Sequence, residues 1–133
     1  MSDTGKPAVV GSVGWMDLTV KDAVKVKDFY RDVVGWTASG LDMGGYEDFV
    51  MTPAGSETPA GGVCHARGPN ADMPGGWVVY ITVENLDRSL ERVTAMGGKV
   101  RGQVRSAGGM GRFCLIEDPS GAVSALFESA KKD

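Results

Sequence analysis

The feature that most constrains this chain is a pattern it carries twice. Val20-Lys21-Asp22 recurs as Val83-Glu84-Asn85, and Gly35 recurs at the same offset as Gly98. Thr52-Pro53-Ala54-Gly55 recurs as Asp118-Pro119-Ser120-Gly121. Ahead of the first marker, Gly14 to Val20 alternates. Met16, Leu18 and Val20 point one way and Trp15, Asp17 and Thr19 the other, which is the period-two signature of a strand with one apolar and one mixed face. Behind the marker, Ala23, Val26, Phe29, Tyr30 and Val33 recur at helical spacing, with Asp22 as cap and Gly35 as stop.

The rest of each copy reads as three further strands. In the first these are Trp36 to Ser39, Tyr46 to Thr52 and Gly62 to Ala66. The second opens with a strand from Trp77 to Val83. Its helix is capped by Asn85, carries Leu86, Leu90, Val93 and Met96 on its apolar side, and stops at Gly97-Gly98. Strands follow at Lys99 to Val104, Arg112 to Glu117 and Ala122 to Glu128, with a glycine-rich tip from Arg105 to Gly111. A single such unit leaves one sheet face uncovered. The expected fold is therefore α+β: two βαβββ modules forming a curved mixed sheet around a cleft, with the helices on the outer face. Residues 1–133 are expected to form a single domain, with modules at 9–66 and 76–128 and a turn-rich linker at 67–75.

A chain of 133 residues with 42% hydrophobic content can bury a real core. Its net charge of −3 lacks the basic footprint of a nucleic-acid binder and does not favour an anionic membrane surface. No apolar run reaches the roughly 18 residues of a membrane span, and Met1 to Pro7 reads as a loose arm without a signal region. A cytoplasmic protein is expected. Cys64 and Cys114 are widely spaced and read as reduced, buried thiols.

The two βαβββ modules, the Val20-Lys21-Asp22 helix start, Phe29-Tyr30 before Gly35-Trp36, and Asp118-Pro119-Ser120-Gly121 together resemble the vicinal oxygen chelate superfamily. It includes glyoxalase I, extradiol dioxygenases and the bleomycin- and fosfomycin-resistance proteins. The resemblance covers roughly Val13 to Glu128 and implies the fold rather than one reaction. It also implies a divalent metal held by His, Glu or Gln on the first and last strand of each module. Carried onto this sequence, those slots fall on Trp15, on Val78, on Ala125 and, near Cys64 or His65, on His65. An indole, an isopropyl and a methyl group cannot coordinate a metal, and one His falls short of the three protein ligands usual in a catalytic site. No metal and no cofactor are expected.

The candidate ligand-binding set is Trp15, Asp17, Thr19, His65, Val78, Tyr80, Met110, Arg112 and Ala125. Trp15 and Tyr80 would supply aromatic walls, and Met110 would ride a mobile glycine-rich flap with Arg112 at its base. These same residues could instead simply fill a cavity and tip an ordinary hairpin. Asp17 and His65 are the candidate catalytic groups, each with a plain structural role as its alternative. Trp77 reads as core. No Gly-x-Ser-x-Gly elbow is present for nucleophilic hydrolysis.

Three functions fit. The first is a metal-free binder of a small, partly aromatic or apolar molecule. The second is a metal-dependent lyase, isomerase or dioxygenase with displaced ligands such as Asp17, His65 and Glu117 or Glu128. The third is a metal-independent acid/base isomerase using His65 and Asp17. A homodimer is expected, since apolar edges otherwise stay exposed.

Overall fold

The computed structural model describes residues 9–130. The arm expected at 1–7 and residues 131–133 of the tail lie outside them. The strands are β1 (Val13–Val20), β2 (Thr37–Asp42), β3 (Glu47–Thr52), β4 (Gly61–His65), β5 (Trp77–Thr82), β6 (Lys99–Ser106), β7 (Gly111–Glu117) and β8 (Val123–Ser129), and the helices are α1 (Ala23–Val34) and α2 (Leu86–Ala95). Single 3-10 turns occur at Gly68–Asn70 and Gly108–Met110. Residues 15–77 form one compact unit, and residues 9–14 with 78–130 form the other. The fold is α+β.

The repeat read in the sequence is a repeat of pairing. In the first unit the strand order is β2-β3-β4-β1, with β1 parallel to β4 and the other neighbours antiparallel. In the second unit the order is β5-β8-β7-β6, with β5 parallel to β8 and the rest again antiparallel. Parallel neighbours cannot be joined by a tight turn. In each unit the helix and two intervening strands make the return.

The first unit's core is Ala23, Phe49, Met51 and Val63, with Val20, Val26, Tyr30, Trp36 and Trp77 packed around it. α1 therefore covers the sheet face that carries Phe49, Met51 and Val63. The Asp22 carboxylate accepts from the Lys25 amide at 3.1 Å, and Gly35 ends the helix at φ 85°, a left-handed conformation that glycine adopts without penalty. Two members of the expected apolar stripe depart from it, since Phe29 and Val33 are exposed. Residues 23, 26, 27 and 30 fall in one narrow arc of the helix. The Lys27 stem takes the remaining place, with Nζ 4.7 Å from the Phe49 ring centre.

In the second unit Leu86, Cys114, Ile116 and Leu126 form the core, with Ile81, Val83, Leu90 and Val93 against them. Met96, expected on the apolar side of α2, instead follows the last helical residue as its C-cap and is exposed. The start of α2 is held twice. The Asn85 side chain accepts from the Arg88 amide at 3.1 Å, and Glu128 Oε1 on β8 accepts from the Leu86 amide at 2.7 Å. Leu86 is fully buried, so nothing else replaces that acceptor cheaply. Replacing Glu128 with Ala is expected to cost about 1–3 kcal/mol in chemical denaturation, with Asn85→Ala costing about 1 kcal/mol.

Candidate functional site

Residues alternate across a sheet, so Asp48, Gly62 and Cys64 face away from α1 when Phe49 and Val63 face toward it. β1 pairs with β4 as Asp17 with Gly62, Leu18 with Val63, Thr19 with Cys64 and Val20 with His65. β3 pairs with β4 as Phe49 with Val63 and Val50 with Gly62. Trp15, Asp17, Thr19, Asp48 and Cys64 thus share the helix-free face of the first unit.

The Asp17 carboxylate is oriented there. The Trp15 indole Nε1 donates to Asp17 Oδ1 at 2.6 Å. A Cβ at Gly62 would lie 2.5 Å from the same oxygen, so the carboxylate occupies the space that a side chain on the neighbouring strand would take. Asp48 is 4% exposed and its Oδ1 accepts from the His65 amide at 2.8 Å. Between the two acids lies Cys64. Burial first, then the charges of Asp17 and Asp48 and a hydrogen bond to Asp48, push its thiol well above the ordinary value of 9.0. Cys64 is consequently a neutral donor, with the opposite electrostatics of a nucleophilic cysteine.

His65 is placed differently from the expectation that it shares a cleft with Asp17. It pairs with Val20 and follows Val63 by two, so it shares the face covered by α1. Its ring lies 5.5 Å from that of Tyr46 and 6.3 Å from that of Phe49. Nδ1 is 3.4 Å from Asp48 Oδ1, close enough to pair when protonated but not aligned as a hydrogen bond. Asp17 and His65 sit on opposite faces, and the acid/base couple expected of them is not assembled. Parity gives the fourth strand's site position to Cys64. Asp48 was not among the sequence candidates. Its i, i+2 relation to Val50 was readable, whereas its bond to a backbone amide on another strand was not.

In the second unit, Tyr80 pairs with Ala125 and Thr82 with Phe127, while Leu115 and Phe113 pair with the same two partners from β7. Val78, Tyr80 and Ala125 are all buried on this helix-free face. Tyr80 and Phe113 meet edge to face at 5.3 Å. Arg112 is not among them. It has the parity of Cys114 and Ile116, which pack on α2, and its guanidinium binds Glu128 at 3.3 Å and Asp87 at 3.0 Å. Those bonds, Glu128 before Asp87, hold it still more firmly protonated than a free guanidinium. Its role is to brace the acceptor that caps α2. Met110 is exposed in the 3-10 turn Gly108–Met110.

Glu117 binds Arg101 at 3.4 Å and Glu128 is engaged by Leu86 and Arg112. Among the described residues, no group of three or more His, Cys, Asp or Glu side chains is placed to hold a metal ion. The divalent metal of the resembling enzymes does not fit the residues on these strands.

The model of the Glyoxalase/Bleomycin resistance protein/Dioxygenase superfamily matches residues 12–125. The chain belongs to that superfamily. It is 30% identical over 120 residues to CFP32 of Mycobacterium tuberculosis, a protein with a provisional glyoxylase name, covering 90% of this chain and 46% of that protein. It is 29% identical over 128 residues to the anthracycline biosynthesis protein DnrV of Streptomyces peucetius, covering 88% and 46%. The chain thus spans about half the length of these curated relatives. Among solved structures it is similar to methylmalonyl-CoA epimerase from M. tuberculosis, at 19% identity and a TM-score of 0.57 over 96% of this chain and 95% of that one. The Mn(II)-bound glyoxalase from Novosphingobium aromaticivorans gives 21% identity and a TM-score of 0.59 over 93% of this chain and 42% of that one. At these identities the superfamily structures show a shared fold alone.

Cys64 should alkylate slowly in the native state and faster in Asp48→Asn, by at least about tenfold at a pH near 9, measured by mass spectrometry of the labelled peptide. The sign for stability follows from the raised thiol. The unfolded chain loses this proton above pH 9.0 while the native chain keeps it, so the contribution is complete below that pH and is lost as pH rises further.

Proposed function

We propose that this superfamily member binds a small, partly aromatic or apolar molecule without a divalent metal. The observation that carries the reading is the chemistry at the metal-bearing strand positions, where Trp15, Val78 and Ala125 offer no lone pair to a cation. The contact surface in the first unit is Trp15, Asp17 and Thr19. Asp17, fixed by the Trp15 indole, supplies the polar anchor of its face.

The proposal includes a cytoplasmic homodimer. Both cysteines are free, which suits a reducing compartment. β2 and β6 each end their unit's strand order and carry exposed Leu41, Val100 and Val104, a liability that pairing between copies would relieve. Light scattering should give a dimer mass, and a monomer would contradict this part.

A thermal-shift screen of small aromatic compounds tests the binding. A saturable rise in melting temperature is expected for a ligand of this class, since binding to the native state alone stabilises it. Trp15→Phe and Asp17→Asn should each weaken that ligand by about tenfold, the worth of one charge-assisted contact. A ligand that shifts the wild type and both variants equally would place binding elsewhere.

A further inference from the structure

β2 (Thr37–Asp42) ends the strand order of the first unit, and among the described residues no strand lies beyond it. We propose that this edge pairs antiparallel with β2 of a second copy of the chain, about a two-fold axis at Ser39. The pairing rests on the proposed homodimer and specifies its strand, register and face.

The backbone of the edge is open and regular. β2 pairs with β3 from Thr37 with Thr52 to Asp42 with Glu47, without a register shift. The hairpin closes with the Met43 amide donating to the Tyr46 carbonyl at 2.8 Å. Bonded and unbonded pairs alternate along an antiparallel ladder, so Thr37, Ser39 and Leu41 turn their amides and carbonyls toward β3. Ala38, Gly40 and Asp42 turn theirs outward. Met51, which stands opposite Ala38, shows the same alternation, since its carbonyl accepts from the Ala60 amide beside β4 at 2.8 Å. A row of outward donors and acceptors is a template for another strand.

The other terminal strand is protected, and this one is not. β6 (Lys99–Ser106) is broken by a register shift between Arg101 and Arg105, has Gly102 at φ 75°, and carries Lys99, Arg101 and Arg105. Bulges and cationic side chains are the devices that blunt an edge. β2 has no bulge and no charge from Thr37 to Leu41, and Leu41 is exposed.

Charge selects the occupant and the register. A second β2 presents the same outward N–H and C=O dipoles in reverse order, so the edge is complementary to itself, whereas β6 would bring its bulge. About Ser39, Ala38 of each copy bonds Gly40 of the other, Thr37 stands opposite Leu41, and Asp42 stands across from Trp36. An axis at Gly40 would satisfy the same backbone groups. The Glu47 carboxylate lies over Gly40, however, so that register sets two glutamates against each other. The axis at Ser39 moves them apart. The surface around Trp36 that then receives Asp42 does not repel it, because Lys27 and Arg31 balance Asp28 and Asp32. Ser39 and Leu41 pair with Val50 and Asp48, which places them on the helix-free face. A two-fold axis normal to the sheet keeps that face on the same side in both copies, so the face bearing Asp48 runs on into its symmetry mate.

The test is Ser39→Cys in the full chain, mildly oxidised and read by non-reducing gel and intact mass. Opposed residues of an unbonded pair lie about 4.5 Å apart at Cα, within disulfide reach, so a linked dimer is expected. Neither the wild type, whose cysteines are half-buried and buried, nor Val104→Cys on β6 should link. Ser39→Lys sets two like charges face to face and should weaken the dimer by at least about tenfold in concentration-dependent light scattering. Its melting should stay cooperative, because Ser39 is exposed in the single chain. Val104→Lys should leave the dimer intact. A wild-type dimer that Ser39→Lys does not weaken and Ser39→Cys does not link would overturn this pairing and leave the homodimer standing. A wild-type monomer would overturn both.

Discussion

Parallel pairing between the first and last strand of each unit is the constraint on which the rest depends. It forces a crossover through helix and hairpin, and it fixes the parity of every inward and outward side chain on those strands. Asp17 stands beside Gly62 because of that register, and Tyr80 beside Ala125 for the same reason in the second unit. A slip of one residue would send Asp17 toward α1 and bring Leu18 to the open face. The apolar stripes of the two helices are what hold the register, since Val63 and Leu126 must stay against them.

On that scaffold the polar chemistry is concentrated in the first unit. Asp17 and Asp48 flank a thiol that burial and their charge keep protonated, and each acid is held by a donor from the protein itself, an indole or a backbone amide. Such an arrangement orients carboxylates without asking them to coordinate. The helix-free face of the second unit is by contrast an apolar wall of buried Tyr80, Leu115 and Phe127 with the half-buried Phe113. The first unit offers directed hydrogen bonding and the second offers apolar area.

Most of the architecture was readable in the sequence, because repeats, caps and period-two alternation are local signals. β1 covers the alternating stretch from Gly14 to Val20, and the Asp22 and Asn85 caps formed as read. The site was less readable. The choice between Cys64 and His65 rests on the β1–β4 register, a long-range fact that an alignment of turns does not contain. Arg112 looked like a ligand contact because it borders a glycine-rich tip, yet its strand parity sends it to α2, where Asp87 and Glu128 wait. The exposure of Phe29 and Val33 reflects the narrow arc that a single helix presents to a sheet, which a count of apolar residues overstates.

The central claim is that this chain retains the superfamily fold while three of its four metal-bearing strand positions, Trp15, Val78 and Ala125, hold side chains that cannot coordinate. Metal analysis of the full chain, purified without chelator and then offered nickel, zinc, manganese and iron before desalting, tests it directly. Less than about a tenth of an equivalent of any ion is the predicted result, as expected where three protein ligands are lacking. Retention of a full equivalent, lost on Asp17→Asn or on replacement of Cys64, would contradict it.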